Sequence, residues 1–203
     1  TKEVIVESVS GFIKPGICVV KYAVCDSNNH VAHATRKIGY TDYIAPRFKL
    51  NESLCFSLYE HVDIASCIGV VDCIDGDISK QIILTTENYT KSVAGVFSVN
   101  ATVTNKKGDV STIVIPLIIE DRSLSAPEIE LKEYLIYVER GEEIDFKEYV
   151  VKATDDKEND LTDEVRVESD IKLDKEGTYT VHYYVTDEEG LKGHSIMTVV
   201  VGN

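Results

Sequence analysis

The amino-acid sequence predicts an all-β chain of tandem antiparallel β-sandwiches in which the first module is incomplete. Three observations predict it. The stretch Val165-Arg166-Val167-Glu168-Ser169, followed by Gly177, Tyr179, Val181, Tyr183, Val185 and Asp187, recurs in step at Val4-Ile5-Val6-Glu7-Ser8, Gly16, Cys18, Val20, Tyr22, Val24 and Asp26. A less similar third copy runs through Ile83, Gly95, Phe97, Val99, Ala101, Val103, Asn105 and Gly108. Each copy alternates apolar and polar residues as half-buried strands do, with no amphipathic helical stretch, and a period of about 80 residues marks an array of small β domains.

The last copy gives the element order. After Ala126-Pro127, residues 128–131 and 135–138 alternate as two short strands that end at the turn Arg140-Gly141. A compact loop around Ile144-Asp145-Phe146 leads to a strand at 150–153, which runs into the acidic loop Asp155 to Thr162. Strands at 165–168, 178–186 and 195–201 complete the set. Short strands with turn signals every 8–12 residues indicate a sandwich. The final hairpin turns on Asp187-Glu188-Glu189-Gly190, with Asp first and Gly fourth as a type I turn prefers; Asp26-Ser27-Asn28-Asn29 and Asn105-Lys106-Lys107-Gly108 are its counterparts. Alternation puts Tyr179 and Phe97 at equivalent buried positions.

The middle copy enters at Ala45-Pro46, repeats Asp145-Phe146 as Asp63-Ile64, and repeats the acidic loop as Asp72-Cys73-Ile74-Asp75-Gly76-Asp77-Ile78-Ser79. Thr1 aligns with Thr162 and Ser79, so the first copy begins inside the acidic motif. The predicted modules are therefore residues 1–42, the C-terminal half of one, then 43–122 and 123–203. Their links are short, which limits hinge freedom. A half-module lacks strand partners, and an unpaired edge can template another chain. Residues 1–42 are thus a candidate homodimer contact by strand addition, or a hairpin resting against the middle module.

The chain of 203 residues has a formal net charge of −14. Residues 126–203 hold 21 acidic against 9 basic side chains, and residues 1–125 hold 14 against 12. Nucleic acid is excluded as a partner, since phosphate binding needs a basic footprint. No apolar run approaches the roughly 20 residues of a membrane span. Cys18, Cys25, Cys55, Cys67 and Cys73 are odd in number, and in register Cys18, Cys55 and Cys67 replace Tyr179, Ile136 and Val150. They read as buried free thiols acting as small hydrophobes. A Cys67–Cys73 bridge is the one local alternative, and zinc spacing is lacking.

The Ala-Pro entry, Asp75-Gly76-Asp77-Ile78-Ser79 or Asn159-Asp160-Leu161-Thr162 in the middle, and Gly177-Thr-Tyr-Thr-Val-His-Tyr-Tyr-Val-Thr-Asp-Glu-Glu-Gly190 near the end together resemble the bacterial immunoglobulin-like repeats of Gram-positive cell-surface proteins, also seen in some pesticidal crystal proteins. The resemblance extends over essentially the whole chain and is best in 126–203. In the middle copy Ala101 and Asn105 replace the usual aromatic and Asp, and the five cysteines depart from the pattern. It implies tandem immunoglobulin-like sandwiches, an extracellular, cell-surface or secreted location, and no catalytic residues to carry over.

The expected function is a non-enzymatic extracellular stalk or adhesion segment of a bacterial surface protein. The alternative is a set of accessory spacer or binding modules of a larger secreted enzyme, and a third class is the exposed part of a toxin-like protein. Trp is absent, which disfavours an aromatic sugar platform. No cofactor is implied, save calcium. The acidic loops carry the oxygen ligands that Ca²⁺ takes, at Asp72, Asp75 and Asp77 and again at Asp155, Glu158 and Asp160. The competing reading is that these residues shape and cap turns. His30 and His33 read as surface-loop residues and His182 as exposed. Asn51, Asn88 and Asn100 fit the glycosylation acceptor pattern.

Overall fold

The computed structural model describes residues 3–87, 89 and 93–202. Thr1 and Asn88, both singled out above, lie outside them. Strands in chain order are β1 Val4–Lys14, β2 Ile17–Cys25, β3 Val31–Gly39, β4 Arg47–Leu50, β5 Cys55–Ser57, β6 Ile68–Asp72, β7 Gly76–Asp77 and β8 Ile83–Glu87. They continue as β9 Gly95–Thr104, β10 Val110–Glu120, β11 Glu128–Leu131, β12 Leu135–Glu139, β13 Val150–Thr154, β14 Arg166–Ser169, β15 Gly177–Thr186 and β16 Lys192–Gly202. Among the described residues the single α-helical turn is Ile64–Cys67, and no helix is long and apolar enough to cross a membrane.

The sheets are β1-β2-β3, β4-β6-β7, β5-β10-β9-β8, β11-β13 and β12-β16-β15-β14. Both four-stranded sheets share one order, and both carry an edge pair that alternation could not show to be parallel: β5 beside β10, with Cys55 opposite Ile118, and β12 beside β16, with Ile136 opposite Val199. The chain clusters into two compact units. One comprises residues 1–47, 70–82 and 102–112, and the other 48–69, 83–101 and 113–203.

In the second unit, β11-β13 faces β12-β16-β15-β14 across a core of Ile129, Leu131, Ile136, Val138, Ala153, Val181, Tyr183, Val185, Met197, Val199 and Val201. The period of two fixes which side chains enter it. β16 is central and covered on both sides: Met197, Val199 and Val201 point to this core, while His194, Ile196 and Thr198 are buried on the opposite face. There Ser53 accepts a hydrogen bond from the Ile196 amide at 2.8 Å. Gly193 leaves room for the chain to pass, because a Cβ there would drive into the Pro127 carbonyl oxygen.

Tyr179 and Phe97 occupy equivalent places but are half-buried rather than buried. Each ring lies across the glycine two residues before it, with a Cβ on Gly177 or Gly95 falling 3.3 Å from the ring. Near the strand's start the Tyr179 hydroxyl reaches the Lys175 carbonyl at 3.1 Å instead of the core.

In the first unit, β1-β2-β3 is an antiparallel sheet with Val4 opposite Val24 and Cys25 opposite Val31. Cys18, Val20 and Ala23 of β2 are buried, whereas Val4, Ile5, Val6, Val9 and Ile13 of β1 are exposed. Three register shifts interrupt β1, a device that bends and twists edge strands. Phe12 packs edge-on against Tyr40 and Tyr43 at 5.5 and 4.7 Å.

The hairpin turns follow the sequence pattern in all three copies. Asp26, Asn105 and Asp187 each accept, through Oδ1, the amides two and four residues later: Asn28 and His30, Lys107 and Asp109, Glu189 and Leu191. The fourth residue is left-handed each time, at φ 61 for Asn29, 82 for Gly108 and 84 for Gly190. Asn tolerates that region best after Gly, which explains Asn29 where the others have Gly.

Candidate functional site

The outward face of β15 and β16 carries a cluster of polar groups that no local motif announces. His194 is buried, 7 % exposed, although imidazoles are usually at least partly wet. Its Nδ1 lies 2.7 Å from Glu120 Oε1, at the end of β10, and 3.3 Å from Cys55 Sγ, at the start of β5. Its Nε2 is 3.0 Å from His182 Nδ1. Tyr184, opposite His194 in the ladder, stacks on it with centroids 4.3 Å apart, and His182 stacks at 5.2 Å. Strand alternation explains the grouping: His182, Tyr184 and His194 project from one face while Val181, Tyr183 and Val185 fill the core behind them.

Arg122 borders the cluster. Its Nη2 donates to the Cys55 carbonyl at 3.3 Å and lies 3.9 Å from Glu60, and its Nε is 3.8 Å from Glu120. A hollow of about 540 Å³ opens onto Glu120 and His194 and is lined also by Arg122, Ala126, Tyr184 and Leu191. The His194 hydrogen bond holds the Glu120 carboxyl below its usual range against the opposing effect of burial. Burial, then the Glu120 charge, pushes the Cys55 thiol up. His182 is lowered by burial first and then by the electrostatic influence of the neighbouring His194. Half-buried and stacked, it is not the exposed residue that the sequence suggested, because β5 and the end of β10 gather against this face. Of the groups of three or more His, Cys, Asp or Glu side chains among the described residues, Cys55, Glu120 and His194 converge closely enough to share one ion, with ligand atoms all within 4.8 Å of one another.

The acidic loops use their oxygens on the chain itself. Asp72 is buried and accepts from the Ile74 and Asp75 amides, both at 2.8 Å, and from Asn105 Nδ2 at 3.0 Å. Asp75 accepts from the Lys106 amide at 2.7 Å. Asp77 and Asp160 do the same work in their two loops: each accepts the amide and hydroxyl of the residue two on, Ser79 or Thr162. Those hydroxyls in turn accept the Val70 or Ala153 amide. Asp155 accepts from the Lys157 and Asn159 amides, and Glu158 holds a left-handed backbone at φ 64.

All five cysteines are free thiols, so Cys67 and Cys73 are not bridged. Cys18, Cys55 and Cys67 are buried, as their register with apolar residues required, but Cys25 and Cys73 are exposed. Cys67 donates to Glu52 at 3.0 Å, and burial together with that carboxylate pushes its pKa up to about 12. His30 sits in the β2–β3 turn, while His33 lies on β3, not in a loop, 3.2 Å from Glu7. Asn51 donates to the Ser66 carbonyl, and Asn100 is half-buried in β9.

Two facing sheets with the front strand split between them, β11 in one and β12 in the other, form an immunoglobulin-like β-sandwich. Residues 132–201 match the family model described as bacterial surface protein, Ig-like domain. Pesticidal crystal protein Cry22Aa of Bacillus thuringiensis is 31% identical over 140 residues, which cover 66% of this chain and 18% of that protein. The chain therefore spans less than a fifth of this curated relative's length. Among solved structures, CBM51-2 in complex with GlcNAc and INT domains from Clostridium perfringens ZmpB is similar at 14% identity over 77% of this chain and 42% of that one, with a TM-score of 0.38. Drosophila N-cadherin EC1-4 is similar at 13% identity over 100% of this chain and 66% of that one, with a TM-score of 0.28. Likenesses this distant say nothing of a ligand.

Proposed function

We propose that the chain is a non-enzymatic extracellular stalk or adhesion segment of a bacterial surface protein, with immunoglobulin-like modules at residues 43–122 and 123–203 and the C-terminal half of another at 1–42. The observation that carries this reading is the recurrence of one four-stranded sheet, edge pair included: both Cys55 to Ile136 and Ile118 to Val199 are steps of 81 residues. The match of residues 132–201 to the bacterial surface model supports the location. An antibody against residues 123–203 should label intact cells, and external protease should remove the signal. Labelling confined to permeabilised cells would end the proposal, and a hydrolase domain encoded beside this segment would move it to the accessory role in a secreted enzyme.

In the β1-β2-β3 sheet the Phe12 amide of β1 donates to the Lys107 carbonyl at 2.6 Å, but β3 has no strand beyond it among the described residues and β1 is apolar and exposed, which is the condition for strand addition by a second copy. Light scattering should find the 203-residue chain dimeric at high concentration and a version starting at Tyr43 monomeric. Equal behaviour of the two removes residues 1–42 as the contact.

We read the acidic loops as turn-forming elements whose oxygens serve backbone amides. Millimolar calcium is expected to leave the melting temperature unmoved, since a ion that bound only the native state would raise it. A rise of several degrees that disappears in Asp77→Asn or Asp160→Asn would instead make these loops calcium ligands.

A further inference from the structure

We propose that Cys55, Glu120 and His194 form a binding site for a divalent metal ion of zinc's class, with His182 as the group that orients His194. Thiolate, imidazole and carboxylate are the ligands zinc takes, three protein ligands leave a fourth position for water, and calcium or magnesium would want oxygens alone. The arrangement has the proportions of such a site drawn slightly inward. Around tetrahedral zinc, neighbouring ligand atoms stand roughly 3.3–3.6 Å apart, given bond lengths of about 2.0–2.3 Å. The sulfur-to-nitrogen separation is already 3.3 Å, and the nitrogen-to-oxygen separation of 2.7 Å would widen by a small withdrawal of the Glu120 carboxylate. Glu120 has that freedom, because its side chain is 33% exposed and faces the hollow that would admit the metal and its water.

One ring nitrogen of His194, Nδ1, faces both of the other ligands, and the second, Nε2, faces His182 Nδ1 at 3.0 Å. A ligating imidazole typically donates its remote N–H to such a partner, which fixes its tautomer and orientation. On binding, the metal–sulfur bond forms as the Cys55 S–H bond breaks, and that proton goes to the buffer. His194 passes from the Nδ1–H to the Nε2–H tautomer and His182 from Nδ1–H to Nε2–H, both staying neutral, so that His194 now donates to His182. The two anionic ligands then balance the ion's charge, and Arg122 keeps its bonds to the Cys55 carbonyl and its pairing with Glu60. Such a centre would tie together residues 139 positions apart in the chain.

The test uses the full chain carrying Cys25→Ser and Cys73→Ser, so that the exposed thiols do not compete. Titration with Co²⁺ should produce a thiolate-to-cobalt charge-transfer absorption that saturates at one equivalent, and Zn²⁺ should displace it and raise the melting temperature. Adding Cys55→Ser should abolish the absorption, whereas Cys67→Ser, which removes another buried thiol, should leave it intact. His182→Leu should weaken Zn²⁺ binding by about 10–100-fold without touching a ligand. Circular dichroism of each variant confirms folding, and Glu120→Gln, a change at a half-exposed position, gives a second route if Cys55→Ser unfolds. Absence of the absorption, its survival in Cys55→Ser, or its equal loss in Cys67→Ser overturns the proposal.

Discussion

Tyr183→Ala is expected to cost about 3–5 kcal/mol, the range for deleting a buried ring and leaving its cavity. Tyr183 has no exposed surface and lies inside the sandwich core among residues of both sheets. A module of about 80 residues has roughly 4–12 kcal/mol of stability in all, so the change removes a large share of it. Tyr183→Phe separates the ring from its hydroxyl. The hydroxyl donates to the Phe146 carbonyl at 3.0 Å, also within reach of Met197 Sδ at 3.9 Å. Its loss should cost about 1 kcal/mol, the net value of one buried hydrogen bond. Urea unfolding followed by far-ultraviolet circular dichroism checks both. A cost below about 1 kcal/mol for the alanine variant, or equal costs for the two, would mean that the ring is not the centre of this core.

What the sequence made legible was local. The hairpin turns could be read because every group involved lies within four residues: Asp187, its two amide donors and Gly190 are all in one pentapeptide, and the same holds from Asp26 and Asn105. The buried face of β15 could be read because the period of two assigns Val181, Tyr183 and Val185 to one side. Register even placed Cys55 at an apolar, buried position. It could not say what Cys55 would meet, since His194 is 139 residues away and Glu120 is 74 from His194. Each looks unremarkable in its own strand, and their convergence depends on β16 being covered on its second face. A polar side chain at a central-strand position that alternation makes outward-facing, as at His182 and His194, is the one signal that could have raised the question. Tyr179 and Phe97 failed in the opposite sense, because alternation gives the face of a residue and not its depth.

Asp72→Ala should destabilise the first unit by roughly 3 kcal/mol, because it orphans two backbone amides and one side-chain amide hydrogen around a buried carboxylate, and hydrogen bonds to charged groups are worth about 1.5–3 kcal/mol each before relaxation and water entry offset part of the loss. The damage would spread through Asn105, whose Nδ2 bridges Asp72 and the Tyr43 hydroxyl while its Oδ1 holds the hairpin amides of Lys107 and Asp109. Asp155→Ala, at the corresponding loop of the last copy, should cost clearly less than Asp72→Ala, since its amide partners are exposed and water can replace it. The contrast extends to pH. Burial alone would raise the Asp72 pKa, but the Asn105 amide and the Asp75 and Ile74 backbone groups outweigh it and hold the carboxyl below its ordinary value of 3.8. A depressed folded pKa means that the unfolded chain binds the proton more readily, so this contribution is complete above the ordinary value and is lost as pH falls through the folded one. Asp72→Asn should therefore narrow its stability gap to the parent chain as the medium becomes more acidic than pH 3.8, measured by urea midpoints across the acid range. A gap that stays constant down to the lowest pH would show that the charge on Asp72 does not hold the loop.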